Sequence, residues 1–214
     1  MNINLEQAVA LLRRERIVSK RAVNFILDRG RKEVLAPINY RLSTLQRCAE
    51  ENKRNHSWFL VYYQGWSQAE QFEFFNGKMP FNDWPRFHRD SMDFLKKAVV
   101  AGHEKPRPGY YLLNMDSGLQ NMERAEALAR IKEKENVRLC PAPIFSEAII
   151  SIYLTLDGIR VAENWYHATS SQTDDGRTIL VGRNDRNGID LNAINPDHSK
   201  AVKIRYAECL RWEK

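Results

Sequence analysis

The side chains best suited to bind a ligand are concentrated near the C-terminus, in residues 182–199, GRNDRNGIDLNAINPDHS. This segment contains four asparagines and three aspartates in eighteen residues. Carboxylate and amide oxygens coordinate Ca²⁺, and the same groups form hydrogen bonds with polar ligands. The composition therefore points to two kinds of chemistry, a cation site or a polar binding face.

An EF-hand calcium loop does not fit this spacing. If Gly188 is placed at the sixth position of such a loop, Arg183 occupies the first position and Ile194 the twelfth, where carboxylates are required. A looser, lectin-type calcium site that uses Asp185, Asn187 and Asp190 stays open. We otherwise expect no metal and no cofactor.

A polar binding face follows from the alternation of apolar and polar residues. Ile189 and Leu191 alternate with Asp190 and Asn192, so a strand here buries the first pair and exposes the second. Asn187-Gly188 is a strong hairpin-turn signal, and we expect the other polar residues on loops at the same edge of the sheet. The predicted ligand-binding residues are Arg183, Asn184, Asp185, Asp190, Asn192, Asn195, His198 and Lys200.

The second half of the chain supplies the elements that would position this face. It predicts a strand at Tyr110–Leu113, a helix from Met122 to about Lys134 and a buried helix at Pro143–Leu154. An antiparallel meander with one buried face follows. Its predicted strands are Trp165–Thr169, Thr178–Val181, residues 189–193 and Val202–Tyr206.

The first half is mainly helical in pattern. Helices are predicted over residues 5–18, over residues 19–30 with Ser19 as the cap, from Leu42 to about Asn52, and over residues 87–100. The aromatic run Trp58–Tyr63 predicts a strand, and Phe72–Phe75 before Asn76-Gly77 predicts a second short one.

A segment with two prolines and two glycines, residues 101–109, separates the halves and predicts a domain boundary. The fold class is α+β. A mainly helical N-terminal region, residues 1–100, is followed by a linker at residues 101–108 and a second module at residues 109–214.

The charge is uneven along the chain. Residues 1–108 contain 19 Lys and Arg against 12 Asp and Glu, whereas residues 109–214 contain 14 against 15. A basic region can bind nucleic acid, and two amphipathic helices joined at Val18-Ser19 resemble a helix-turn-helix. In this alternative the contacts come from Arg13, Arg14, Arg16, Lys20, Arg21, Arg31 and Lys32. The Trp58–Tyr63 strand would then stack bases, although a core role explains it as well.

Composition favours a cytoplasmic protein. No apolar run approaches the roughly 20 residues of a membrane span, and the N-terminus lacks the pattern of a secretion signal. Cys48, Cys140 and Cys209 are odd in number and far apart, which favours reduced thiols over a disulfide framework.

Catalytic motifs are missing from the sequence. It contains no HExxH, GxSxG, Walker A or GxGxxG pattern, and its five histidines show no metal-binding spacing. His167 beside Trp165 and Glu147 near the start of the apolar helix are expected to be structural. We therefore predict no catalytic residues and a partner that is a macromolecule, most simply a protein.

The C-terminal half resembles an uncharacterised family of bacterial proteins common in candidate-phylum genomes. The resemblance is carried by PGYYLLNMDSG, FSEAIISIYLTLDGIRVAENWYH and DDGRTILVGRNDRNGIDLNAINPD, and it covers about residues 106–210. This part is similar to the C-type-lectin-like fold shared by formylglycine-generating-enzyme-like proteins and by the variable proteins of diversity-generating retroelements. Ala168 departs from the pattern, in which a second aromatic residue follows Trp165-Tyr166-His167.

The resemblance implies a function as well as a fold. In retroelement-diversified proteins, adenine-directed mutagenesis rewrites asparagine codons near the C-terminus, and the rewritten side chains bind the ligand. The asparagine-rich segment would be such a diversified face, although Asn, Asp and Gly also simply favour turns. The order strand, helix, helix, meander predicts one lectin-like unit over residues 109–210, in which the Tyr110–Leu113 strand pairs near Val202–Tyr206.

Overall fold

The computed structural model describes residues 3–20, 22, 36–55, 57–77, 86–88, 90–98, 102–156, 159–185, 187–195 and 203–213. Helices and strands both contribute substantially, so the chain is an α+β protein. Two β-sheets share one continuous hydrophobic core.

The first helix is shorter than predicted. Helix α1, Leu5–Leu12, begins at a capping box in which Asn4 Oδ1 accepts the Gln7 N–H at 2.9 Å. The helix ends at Arg13, whose φ is 67°. A 3₁₀ turn follows at Arg14–Arg16, and then strand β1, Ile17–Val18. Because β1 is buried beside another strand, its two β-branched residues extend where a continuous helix to Val18 was expected.

The next predicted helix begins where expected. Ser19 Oγ accepts the Ala22 N–H at 3.2 Å, and Lys20 and Ala22 are helical. The remainder of this predicted helix, to Gly30, lies outside the described residues. Helix α2, Leu42–Asn55, confirms the third prediction and extends three residues beyond it.

The five-stranded sheet has the order β1-β2-β3-β9-β4, in which β2 is Trp58–Tyr63, β3 Gly109–Asn114, β4 Val137–Leu139 and β9 Glu208–Leu210. Strands β2 and β3 pair antiparallel along their whole length, from Trp58 opposite Asn114 to Tyr63 opposite Gly109. Every residue of both strands is buried, as continuous aromatic and aliphatic runs require.

The β2–β3 pair corrects the predicted domain organisation. β2 belongs to the predicted N-terminal region 1–100 and β3 to the predicted module 109–214, yet they are neighbours in one sheet. Residues 102–108 therefore lie between two paired strands of one sheet and do not separate two cores. Pro and Gly are as typical of a connection between paired strands as of a domain linker.

Phe72–Phe75 lies in a helix and not in the predicted strand. Helix α3, Gln68–Gly77, is capped by Ser67, whose Oγ accepts the Glu70 N–H at 3.3 Å. The Glu70 carboxylate accepts the Ser67 N–H at 2.9 Å in return. This S-x-x-E capping box places Phe72 and Phe75 together on the buried face. Helix α4 follows at Ser91–Lys97, within the predicted range.

Two helices connect β3 to the second sheet. Helix α5, Arg124–Glu133, and helix α6, Ala142–Thr155, confirm the two predicted helices. α6 is buried along most of its length and contacts β1 and β2 on one side and β5 and β6 of the second sheet on the other. Glu147 lies in its second turn, where it accepts the Gln64 N–H at 2.8 Å and so ties the helix to the end of β2.

The second sheet has the order β7-β6-β5-β8, from β5 Tyr166–Gln172, β6 Thr178–Asp185, β7 Gly188–Ile194 and β8 Ile204–Tyr206. β5, β6 and β7 form the predicted antiparallel meander. β8 instead pairs with β5 in parallel, at the opposite edge from β7.

The expected pairing of Tyr110–Leu113 with Val202–Tyr206 is wrong. β3 and β8 belong to different sheets, and Val202 lies outside the described residues. The chain crosses from one sheet to the other at Ala207, and the following strand β9 pairs with β3 through Leu113 opposite Cys209. The terminal strand does return beside β3, but it lies a few residues later than predicted.

Cys48, Cys140 and Cys209 are free and buried, in agreement with the prediction of reduced thiols. Within the described parts of the chain, no helix combines the length and apolar character that crossing a bilayer requires.

Candidate binding face on the second sheet

The predicted alternation of β7 is confirmed. Ile189 and Leu191 expose 0% and 3% of their surface, whereas Asp190 is half-buried and Asn192 is exposed. Since Asp190 and Asn192 have Gly182 and Leu180 as their neighbours on β6, they lie on the face of the sheet opposite to Ile189 and Leu191. This outer face, defined by Tyr166, Arg183, Asp190 and Asn192, is called the polar face below.

A β-bulge in β6 shapes the polar face. The register with β7 shifts between Gly182 and Asp185, and Arg183 within this stretch has a φ of 43°. A Cβ on Gly182 would lie 2.1 Å from the Trp165 carbonyl oxygen, so only glycine permits the close approach of β5 to β6. The guanidinium carbon of the neighbouring Arg183 lies 5.7 Å from the centre of the Tyr166 ring.

Tyr166 is the centre of the polar face. Its hydroxyl donates a hydrogen bond to the Asp190 carboxylate, which lies two strands away across Gly182. Burial raises the pKa of the Tyr166 hydroxyl, and the Asp190 carboxylate raises it further. The hydroxyl therefore stays protonated near neutral pH and acts as a donor. Tyr166 was absent from the predicted site because the sequence marked it only as a strand residue.

Asn184 does not belong to the polar face. The sequence predicts that it is exposed, but only 1% of its surface is accessible, and its Nδ2 donates to the Val161 carbonyl at 3.0 Å. Its Oδ1 has no hydrogen-bond partner among the described residues. The bulge explains the difference, because the inserted residue shifts which side chains point inward after Gly182.

Asp185 and Asn187 serve the turn between β6 and β7. Asp185 is opposite Gly188, so Gly188 is the first residue of β7 and not part of the turn that Asn187-Gly188 predicts. The Asp185 carboxylate accepts the Asn187 N–H at 2.7 Å. Gly188 has another role, since a Cβ there would lie 2.4 Å from the Arg86 carbonyl oxygen.

The outer edge of β7 is already occupied. Phe87 pairs with Ile189 as a parallel bridge, and the His88 N–H donates to the Ile189 carbonyl at 2.7 Å. Ser91 Oγ accepts the Leu191 N–H at 3.1 Å. Because these backbone groups are satisfied, recognition at β7 would depend on side chains of the polar face and not on the addition of a strand.

The structure locates the other predicted ligand-binding residues only in part. Asn195 is exposed after the end of β7, and Arg183 and Asp185 are exposed around the bulge. His198 and Lys200 lie outside the described residues, so the predicted edge loop is not located.

The calcium prediction gains no support from these contacts. Asp185 binds the turn backbone, whereas Asp190 binds Tyr166, so the two carboxylates serve separate contacts. Across the described ranges, no group of three or more His, Cys, Asp or Glu side chains is arranged to hold a metal ion.

The N-terminal basic residues do not form a helix-turn-helix. The 3₁₀ turn and β1 separate α1 from the following helix, and β1 is paired with β2. Arg13 and Arg14 are exposed, but the guanidinium of Arg16 packs on the Phe59 ring at 4.6 Å and the Lys20 ammonium on the Tyr62 ring at 5.2 Å. Arg21, Arg31 and Lys32 lie outside the described residues.

The aromatic strand β2 has a core role. All of its residues are buried, including Trp58 and Tyr63, and its rings pack against β3, with Tyr62 5.1 Å from Tyr110 and Tyr63 6.1 Å from Tyr111. Rings packed in this way leave no face on which a nucleic-acid base could stack.

Comparisons of the chain with protein-family models, with curated proteins and with solved structures found no match. We therefore infer the function from the geometry of the polar face and of the other surfaces of this chain.

Proposed function

We propose that this protein binds a macromolecular partner, a protein, through the polar face of its second sheet, and that the face performs binding without catalysis. The observation that carries the proposal is the segregation of side chains on β7. Ile189 and Leu191 supply the core, so Asp190 and Asn192 lie on the opposite side, where Asp190 is half-buried and Asn192 is exposed.

The chemistry of the polar face suits protein recognition. It combines an aromatic ring and a guanidinium, from Tyr166 and Arg183, with a carboxylate and an amide, from Asp190 and Asn192. Tyr and Arg are enriched among the residues that dominate binding energy at protein interfaces. The Tyr166–Asp190 hydrogen bond and the Arg183–Tyr166 contact orient these side chains before a partner arrives, which lowers the entropy lost on binding.

The proposal keeps the finer fold assignment, a C-type-lectin-like module over residues 109–214, with one change: β9 and not β8 is the strand that returns beside β3. Its support is the order of elements from β3, through the two helices α5 and α6, to the meander β5–β7 and the return strand β9 beside β3. β2 then adds to the other side of β3 as a strand from outside the module. Retroelement diversification of the asparagine-rich segment is a further part of the proposal, and a gene neighbourhood with a reverse transcriptase and a near-identical template repeat would support it.

Site-specific photo-crosslinking tests the binding face. A photo-reactive amino acid at Asn192 is compared with one at Glu50, which lies on α2 and is exposed. We expect a reproducible adduct with one protein from Asn192 and none from Glu50.

The captured protein is then titrated against a variant of the face. Arg183→Ala combined with Asn192→Ala should weaken its binding by roughly tenfold or more, because both side chains leave the interface. The matched control is Glu50→Ala combined with Lys53→Ala, which removes an exposed ion pair on α2. Unchanged affinity in the first variant, with both variants folded, would reject the polar face as the binding site.

A further inference from the structure

A second surface, whose chemistry differs from that of the polar face, lies beside helix α5. A cleft of about 510 Å³ runs between this helix, the edge strand β4 and Ser170 of β5. Among its described lining residues none is Asp or Glu, and Asn136 and Ser170 supply neutral polar groups. Its cationic lining residues are Arg124, Lys132, Lys134, Arg138 and Arg211.

The helix fixes the spacing of two of these cations. Arg124, Leu128 and Lys132 recur every four residues, so they share one face of α5. With a rise of about 1.5 Å per residue, Arg124 and Lys132 are about 12 Å apart along the helix axis. Arg130 lies on another face, where it pairs with Glu126 at 2.7 Å.

The positive charge of the cleft is largely unbalanced. Lys134 pairs with the buried carboxylate of Glu208 at 2.5 Å. For Arg124, Lys132, Arg138 and Arg211, no carboxylate of the described chain lies within ion-pair distance. The nearby Glu135 pairs with Arg47, and Glu213 accepts hydrogen bonds from Thr44 and Asn136.

One of the unpaired cations is also partly removed from water. Arg124 is half-buried, and burial lowers the pKa of its guanidinium. Its Nη1 donates only to a neutral group, the Thr178 hydroxyl, at 2.6 Å. Arg138 differs, because its side chain lies on the opposite face of β4 from Val137 and Leu139, beside Cys209. A partly desolvated cation without a counter-ion, such as Arg124, costs free energy, which a bound anion would offset.

We propose that this cleft is a binding site for a phosphate-rich anion that carries two or more phosphate groups. The guanidinium groups of Arg124 and Arg211 match phosphate in geometry, and Lys132 adds a point charge. The separation of about 12 Å along α5 spreads the cations over a length that a chain of phosphates can follow, so such a chain contacts more of them than a single ion does.

The lining also indicates how the ligand is recognised. Its apolar residues are aliphatic, including Leu128 and Ile131, and no described lining residue is aromatic. Without an aromatic ring there is no stacking platform for a base. Recognition therefore depends on the phosphates and not on an attached base, and it is independent of the polar face proposed above.

Calorimetric titration of the full-length chain with inorganic tripolyphosphate tests the site. We expect saturable binding that weakens as salt concentration rises, because bound phosphate releases counter-ions. Lys132→Gln and Arg211→Gln are exposed positions, and each should raise the Kd by roughly tenfold, since each removes one charge-assisted contact. Arg130→Gln is the matched control, because it removes the same charge from the same helix outside the cleft.

Competition identifies the source of the phosphates. Adenosine triphosphate and a short oligothymidylate are each titrated against bound tripolyphosphate, and displacement by either one at the cleft supports the proposal and names the natural class. The proposal is overturned if sulfate binds as well as tripolyphosphate, if no probe binds at low salt, or if Arg130→Gln weakens binding as much as Lys132→Gln. Melting temperatures of the variants, measured in parallel, separate a lost site from a lost fold.

Discussion

Strands β2 and β3 of the first sheet and the edge strand β7 of the second sheet use their faces differently. Every residue of β2 and β3 is buried, so both faces of these strands are covered. β7 buries Ile189 and Leu191 and leaves Asn192 exposed on the other side. A strand covered on both faces tolerates little change, whereas a strand with one open side can vary that side without losing its core.

The largest difference between the two regions should appear when a buried side chain of the first sheet is shortened. Leu112 in β3 is fully buried opposite Leu60. Leu112→Ala should lower the free energy of unfolding by about 2–5 kcal/mol, because it loses apolar burial and leaves a cavity. Denaturant unfolding measures this value.

The same substitution at an exposed leucine is the control. Leu42 at the start of α2 is 47% exposed, and Leu42→Ala should change the free energy of unfolding by no more than about 0.5 kcal/mol. Equal losses at Leu112 and Leu42 would contradict the view that the first sheet is packed on both faces.

The inner face of the second sheet should respond to acid. His167 is buried between β5 and α6, with its ring 4.8 Å from that of Phe145. Burial and, to a smaller extent, the charge of Arg205 lower the pKa of its imidazole from 6.5 to about 3. The unfolded chain binds this proton below about pH 6.5 and the folded chain does not, so this group reduces stability as pH falls from 6.5 towards 3.

The expected loss of stability follows from the difference between the pKa of His167 in the unfolded chain and in the folded chain. Between pH 7 and pH 5 the His167 contribution should lower the free energy of unfolding by about 2 kcal/mol. His167→Leu removes the titrating group, so its stability should fall less than that of the wild-type chain over the same pH range. Parallel pH profiles for the two proteins would show that His167 is not buried in its neutral form.

Most individual elements could be predicted from local pattern. β2 and α6 are continuous apolar runs and β7 alternates apolar with polar residues, and the structure has all three nearly as expected. Where local signals competed, the prediction failed. The aromatic run at Phe72–Phe75 suggested a strand, although the Ser67-x-x-Glu70 capping box favoured a helix, and the helix is what forms.

Pairings between segments that are far apart in the sequence were harder to predict. No local pattern shows that β2 pairs with β3 across the proline-containing segment, or that β8 and β9 belong to different sheets. The predicted strand ended at Val181, one residue before Gly182, and the close approach of Gly182 to Trp165 depends on a partner strand. For the same reason the bulge that buries Asn184 and brings Arg183 over Tyr166 could not be read from the sequence.

The smallest effects should come from the polar face itself, and two asparagines provide a matched test. Asn184 is buried and donates to the Val161 carbonyl at 3.0 Å, whereas Asn192 is exposed and its Oδ1 accepts only the adjacent Ala193 N–H at 2.8 Å among the described residues. Asn184→Ala should reduce the free energy of unfolding by about 1–2 kcal/mol, because the carbonyl loses a buried hydrogen bond. Asn192→Ala should change it by less than about 0.5 kcal/mol. Denaturant unfolding of the two variants compares the same substitution at a buried and at an exposed asparagine. If Asn192→Ala proves as costly as Asn184→Ala, Asn192 has a structural role, and the polar face loses the tolerance to change that a variable binding surface needs.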